Sequence, residues 1–236
     1  MRYLYLVPLF LNFFSYAQSA KIIPRYDTLV VERKGPLAIC VVNSFDGKLI
    51  AKGKLLNGLK TGAWTTYNEN KTISLIEDYN QGVKEGLSAS FGKNGELQKE
   101  ENYLNNILNG EVKQFIYGGR IKLIENYKNS VLEGPYAIYY ESGRLMEEGN
   151  YLNGKRNGTV KWYYQNEKVT IENNYINGVL DGISKSYFES GGLAEEGVYK
   201  NDLEEGDWKR YNEDGKLIKI TTYKAGNIIK EKEVKP

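Results

Sequence analysis

The feature that most constrains this chain is a period. Written in rows of 24 residues, the sequence puts Leu55, Tyr79, Tyr103, Tyr127, Tyr151, Tyr175, Tyr199 and Tyr223 in one column, with no insertion or deletion to disturb it. Seven residues further on, Gly62, Gly86, Gly110, Gly134, Gly158, Gly182 and Gly206 fill every place of a second column. A second aromatic column holds Tyr67, Phe91, Phe115, Tyr139, Tyr163, Tyr187 and Tyr211. Ile73, Leu97, Ile121, Leu145, Val169, Leu193 and Leu217 form an apolar one. Repetition at this length marks an array in which each unit stacks on its neighbours, and loops of constant length mean that every unit stacks the same way.

Each unit reads as two strands. The run from the Gly62 column to the second aromatic, as in "GTVKWYY" or "GDWKRY", is short and β-rich. It ends at "KNG", "ESG" or "EDG", where Gly95, Gly143 and Gly215 supply the left-handed residue of a tight hairpin. A second run such as "RLMEEGNY" follows, and "NGxxxG" turns the chain back, with Asn106, Ser130 and Asp202 where its first glycine is missing. Strict alternation predicts that the apolar column and the next Tyr share a face, so that Tyr and Leu/Ile form ladders along one side. At ~4.8 Å between strands, seven units would extend such a sheet to roughly 70 Å. The expected fold class is all-β: an elongated open antiparallel β-meander of 24-residue hairpins.

The pattern Y-x-x-G-x-x-x-G-x-x-x-x-Y-x-x-x-G-x-L resembles the MORN repeat in its bacterial variant form, the kind found in chains labelled as YwqK-type antitoxins. The resemblance covers about residues 55–229. It departs from the pattern at Lys71 and Glu167, which replace the hairpin glycine and leave the turn type of those two units open. The resemblance implies an open β-meander that binds proteins or, in some eukaryotic members, contacts phospholipid. A second-order pattern lies beneath. Leu75, Leu123 and Ile171 alternate with Lys99, Glu147 and Glu195, as duplication of a 48-residue pair would produce, with apolar and charged ridges alternating on the face of the Leu/Ile column.

The ends divide the chain further. "MRYLYLVPLFLNFFSYAQS" has one Arg, an apolar run from Leu4 to Phe14 and a small-residue site before Gln18, so residues 1–17 read as a cleaved secretory signal. The apolar run falls short of the ~20 residues a spanning helix needs, so no transmembrane anchor is expected after cleavage. Residues 18–54 read as an N-terminal segment with a partial capping repeat, in which Asn43 takes the aromatic place and Leu49 the apolar one. Residues 55–222 hold seven repeats, and residues 223–236 a partial repeat ending in a charged cap. Removing residues 1–17 leaves 31 basic and 30 acidic residues, a net of +1, with Lys and Glu interleaved. A nucleic-acid partner is therefore not expected. The one cysteine, Cys40, forms no internal disulfide and reads as a buried small hydrophobe.

Chemistry is sparse. The chain has no His, which removes the commonest general base and every Ser-His or Cys-His pair. Glu148, Glu172 and Glu196 recur in one column, but units ~10 Å apart cannot bring their oxygens within calcium-binding distance. Neither metal nor cofactor nor enzymatic activity is expected. What remains is aromatic surface. A single-layer sheet leaves part of its Tyr-rich face wet, so Tyr139, Tyr163, Tyr187 and Tyr211 are the candidate contacts, with Trp162, Trp208 and Tyr140 neighbouring them on the other face. The expected activity is that of an exported, periplasmic or secreted scaffold binding a protein or peptide. A cell-envelope polysaccharide and a YwqK-type antitoxin or immunity role are the alternatives, the first because aromatic rows also suit a glycan.

Overall fold

The computed structural model describes residues 27–234; the signal segment expected at residues 1–17 lies outside the described residues. The chain divides into two compact units, up to Leu108 and from Asn109 on. The first contains β1 (Asp27–Lys34), β2 (Leu37–Asn43), β3 (Leu49–Leu56), β4 (Leu59–Tyr67), β5 (Ile73–Asn80), β6 (Val83–Phe91) and β7 (Leu97–Leu104). These pair antiparallel, each with the next. The second unit opens with β8 (Ile107–Ile116), β9 (Arg120–Lys128), β10 (Val131–Leu132), β11 (Gly134–Tyr139), β12 (Leu145–Leu152), β13 (Lys155–Arg156) and β14 (Gly158–Tyr163). It continues through β15 (Val169–Ile176), β16 (Val179–Tyr187), β17 (Leu193–Lys200), β18 (Leu203–Tyr211), β19 (Leu217–Lys224) and β20 (Asn227–Glu233). Here too the strands form an antiparallel meander, in which β10 and β13 are the first residues of strands interrupted before Gly134 and Gly158. No described residue is helical.

The tightest turns follow the Leu55 column. Asn153 and Gly154 have φ of 50° and 77°, and Asn177 and Gly178 of 52° and 88°, the paired left-handed residues that let a two-residue turn match the twist of its strands. Asn106, Ser130 and Asp202 hold the same conformation at 66°, 64° and 65°. Each turn is tied to the one before it. The Gly178 N–H donates to the Arg156 carbonyl at 2.8 Å, and the Asn177 N–H to Asn157 Oδ1 at 3.2 Å. Glu133, Asp181 and Glu205 accept in the same way from Asn153, Asn201 and Ala225. Where Asn106 and Asp202 replace glycine, their side chains accept a further bond from the N–H of Lys84 and of Leu180.

The Gly62 column does something other than turn the chain. Between β15 and β16, Asn173 pairs with Ser184 and Tyr175 with Leu180, so Asn174 alone faces Asp181, Gly182 and Ile183. The same one-against-three bulge places Gly53 opposite Gly62, Ala63 and Trp64. All seven glycines of the column have positive φ, from 64° at Gly62 to 120° at Gly182. They are bulge glycines inside or between strands, and this corrects their reading as turn residues. The bulge rolls the residue two places later inward. That column, Cys40, Trp64, Ser88, Val112, Tyr136, Val160, Ser184 and Trp208, supplies eight of the 15 buried residues among those described. In the first unit Cys40 and Trp64 join Ala38 and Leu55 in a small core. Large members need room. The Trp64 ring lies against Gly53 and the Trp208 ring against Gly197, where any side chain would collide with it. The last strand has Lys230 in the glycine column. There β19 and β20 differ by one residue only, Ile229, and every residue of β20 is exposed.

A second irregularity corrects the facial assignment. In β11 and β12, Ile138 pairs with Glu147 but Tyr139 pairs with Leu145, leaving Met146 as an extra residue. Since cross-strand partners share a face, Leu145 lies with Tyr139, while Glu147, Gly149 and Tyr151 lie on the opposite face with Tyr136. The same slip recurs at Ser74, Gln98, Lys122, Thr170, Ala194 and Ile218. The two aromatic columns therefore occupy opposite faces. The alternation of Leu75, Lys99, Leu123, Glu147, Ile171 and Glu195 lies on the Tyr151 side and not on that of the Leu/Ile column.

The hairpins at Lys71 and Glu167 keep the turn of their glycine counterparts, with φ of 67° and 68° and the same closing bond, Glu167 N–H to the Tyr164 carbonyl at 3.0 Å. A non-glycine residue in this conformation costs about 1 kcal/mol. Glu167→Gly should therefore stabilise the fold by about 1 kcal/mol. By the same physics Gly158→Val, at φ 89° with open space around its Cβ, should destabilise it by more than ~1 kcal/mol, while Lys155→Ala stays within about 0.5. Denaturant midpoints of the three variants check the order.

Candidate functional site

One face of the second unit carries Tyr139, Tyr163, Tyr187 and Tyr211, all half-buried. Their partners are the carboxylates of the hairpin before. Tyr163 donates its hydroxyl to Glu148 at 2.5 Å, Tyr187 to Glu172 at 3.3 Å and Tyr211 to Glu196 at 2.9 Å. Tyr139 differs because the equivalent place holds Ile124. Lys161 pairs with Glu172 at 3.5 Å. The acidic column and the aromatic column, separate in the sequence, thus form a single ladder. Burial raises the Tyr163 phenol well above its ordinary value, and the Glu148 carboxylate adds to this because a phenolate beside it would be repelled. The Tyr187 and Tyr211 phenols shift the same way, with burial the first cause in each.

The opposite face is built around Glu147. This carboxylate is only 6% exposed and accepts bonds from the Tyr136 hydroxyl, at 2.6 Å, and from the Arg156 guanidinium. Arg156 in turn stands 5.7 to 5.9 Å from the ring centres of Tyr136, Trp162 and Tyr175, so its charge is shared between one carboxylate and three aromatic faces. Elsewhere in the same place Lys60 lies over Trp64 and Tyr79, and Lys84 over Tyr103 at 3.7 Å. Burial lowers the Lys60 ammonium below its usual range. Two of the neighbouring candidates sit beside this cluster. Trp162 is half-buried and pairs across to Ile171, and Tyr140 donates its hydroxyl to the Tyr163 carbonyl at 2.6 Å, as Tyr164 does to that of Tyr187 at 2.9 Å.

Trp208 is different. It is 9% exposed, flanked edge-on by Tyr199 and Tyr223 at 5.0 and 6.2 Å, and its indole N–H has no hydrogen-bond partner. It serves as core and offers no surface. Glu147, Arg156 and Tyr136 were not singled out from sequence as a site. The one signal was that Glu147 stands in a column that otherwise alternates with Leu and Ile. Among the described residues no three His, Cys, Asp or Glu side chains converge on a point that could hold a metal ion. What the two faces can do is present fixed aromatic rings and paired charges.

Such an array of bulged hairpins, with one left-handed bulge glycine per 24 residues, defines a β-repeat protein. The family model for the MORN repeat variant matches residues 132–153, 156–177, 180–201 and 204–225, so four consecutive repeats of the second unit are similar to that variant. No curated protein matched it.

The raised phenols have a measurable consequence. Burial first, and the neighbouring Glu147, Glu77 and Glu148 second, hold the Tyr136, Tyr79 and Tyr163 phenols above the ordinary value of 10.0. Stability from such a group is complete below pH 10 and falls as pH rises further, because the unfolded chain loses its protons first. Thermal melts should therefore fall steeply above about pH 10, after a smaller loss above about 9 from the buried Cys40 thiol, which burial raises in the same way. A set of tyrosines should ionise only together with unfolding, seen as a cooperative absorbance step near 295 nm.

Proposed function

We propose that this chain is an exported, non-enzymatic MORN-repeat scaffold that binds a protein or peptide through the aromatic faces of its sheet. The observation that carries the reading is the fixing of Tyr163, Tyr187 and Tyr211 by hydroxyl-to-carboxylate bonds, with their rings left half-exposed. Rings held in place in the free protein lose little freedom on binding, which suits them as anchors. Apolar side chains remain exposed on both faces, Ile171 at 37% on one and Ile183 at 54% on the other, so no second layer of the described chain covers either. Export rests on the N-terminal sequence alone. Binding to an envelope glycan, and an immunity role of the YwqK type, are accommodated by the same surface but have no separate observation in their favour.

The test is retention of the native partner from periplasm or culture fluid. Tyr163→Ala with Tyr187→Ala should reduce retention at least tenfold, in a protein whose β-sheet circular dichroism and melting point are kept. Glu148→Gln with Glu172→Gln, which keeps an acceptor oxygen for each phenol, should leave retention nearly unchanged. The reverse pattern would make the carboxylates the contact and the rings packing. Mass spectrometry of the bait recovered from that compartment should find a chain beginning near Gln18; an intact Met1 on a cytoplasmic product would contradict export.

A further inference from the structure

The face that carries Glu147 has two depressions, and they are the same place written twice. The first, about 560 Å³, is lined by Tyr140, Met146, Trp162, Tyr164 and Thr170 among others. The second, about 450 Å³, is lined by Phe188, Ala194, Arg210, Asn212 and Ile218, each 48 residues after its counterpart. Both lie within the second unit. Their common wall is the residue before the second aromatic, long in both cases: Trp162 and Arg210. In the repeat between them that place holds Ser186, whose short side chain lines the second depression from the side opposite Arg210. The floor is the extra residue of the strand slip, Met146 and Thr170 in one case, Ala194 and Ile218 in the other.

The two depressions differ in chemistry. The first has no Asp, Glu, Lys or Arg in its lining; Tyr140 and Tyr164 spend their hydroxyls on backbone carbonyls and turn rings toward the space. The hydroxyl of Thr170 is buried there without a partner, so one polar atom is left for an incoming donor or acceptor. The second contains Arg210, whose guanidinium bonds Glu195 at 3.0 and 3.2 Å. It also contains Glu213, which has no ion pair among the described residues. One paired charge and one free carboxylate leave the second depression with a net charge of −1.

From this we infer a two-point site for an extended peptide, which rests on the scaffold reading above and goes beyond it to the face opposite the Tyr163 ladder: an apolar side chain enters the first depression and a Lys or Arg the second, drawn by Glu213. Four strand spacings of ~4.8 Å separate the two, about 19 Å, which an extended chain at ~3.3 Å per residue covers in about six residues. The peptide lies across the strands. Its specificity resides in the spacing of the two anchors, which the 48-residue duplication sets.

Panning a random 12-residue phage-displayed peptide library on the mature chain tests this. Enriched sequences should carry a large apolar residue and a Lys or Arg about six positions apart, in one order. A synthetic peptide from that set should bind at least tenfold more weakly to Trp162→Ser and to Glu213→Lys, and more weakly as salt rises from 50 to 300 mM. Trp162→Ser borrows the residue the next repeat already carries at that place, so the hairpin keeps its fold. Ile183→Ala on the other face should bind normally. The inference falls if no sequence is enriched, if the apolar residue is enriched without a spaced cation, if Trp162→Ser binds as well as the parent, or if the mature chain retains envelope glycans in preference to every peptide. If the native partner is lost on Tyr163→Ala with Tyr187→Ala but is indifferent to Trp162→Ser and Glu213→Lys, the scaffold reading stands and the two-point site does not.

Discussion

Everything in this array rests on a left-handed glycine placed two residues before a buried side chain. A flat sheet of hairpins has two wet faces and no interior. The bulge at the Gly62 column changes that, because three residues opposite one force the strand to roll, and the residue that follows folds in over its neighbour. Val112, Val160 and Cys40 are the most deeply buried large side chains, and all stand at this position. Each repeat contributes one such residue on the face of the Tyr151 column, where Lys60 lies over Trp64 and Arg156 over Tyr136. Lys230 marks the limit: without the glycine the wider bulge does not form, and β20 stays exposed along its whole length.

The strand slip at Met146 and its counterparts gives the sheet two unlike faces. It sends the Tyr163 column to one side with the acidic ladder and the Tyr151 column to the other with the buried residues. Rings on the first side are oriented by carboxylates. On the second, depressions open where Trp162 and Arg210 stand beside the slip. The 48-residue alternation therefore gains a structural meaning, since it places an aromatic depression and an ionic one at a fixed separation on one rigid surface.

The columns that repeat a residue type were legible in the sequence. The Leu55, Gly62, Tyr67 and Ile73 columns gave the period, the hairpins, their turns and the all-β class. Two things were hidden, for the same reason. The buried column reads Cys, Trp, Ser, Val, Tyr, Val, Ser, Trp, because what is kept is a volume balanced against residues such as Gly53 and Gly197, and such a balance leaves no one-letter signature. The slip column reads Ser, Gln, Lys, Met, Thr, Ala, Ile, since an extra residue in a strand makes no demand on side-chain type. Without the slip, alternation puts both Tyr columns where only one can be. Of the candidate contacts, Tyr163, Tyr187 and Tyr211 form one ladder, Tyr139 lies in it without a carboxylate, Trp162 and Tyr140 line the opposite depression, and Trp208 is core.

The claim that one residue per repeat holds the array is tested most directly by comparing Val160→Ala with Ile183→Ala in equilibrium denaturation. Val160 is 0% exposed beside Gly149, and Ile183 is 54% exposed one place before the buried column of its own repeat. The account predicts a loss of about 1–3 kcal/mol for Val160→Ala and less than about 0.5 for Ile183→Ala. Equal losses, or a larger one at Ile183, would contradict it.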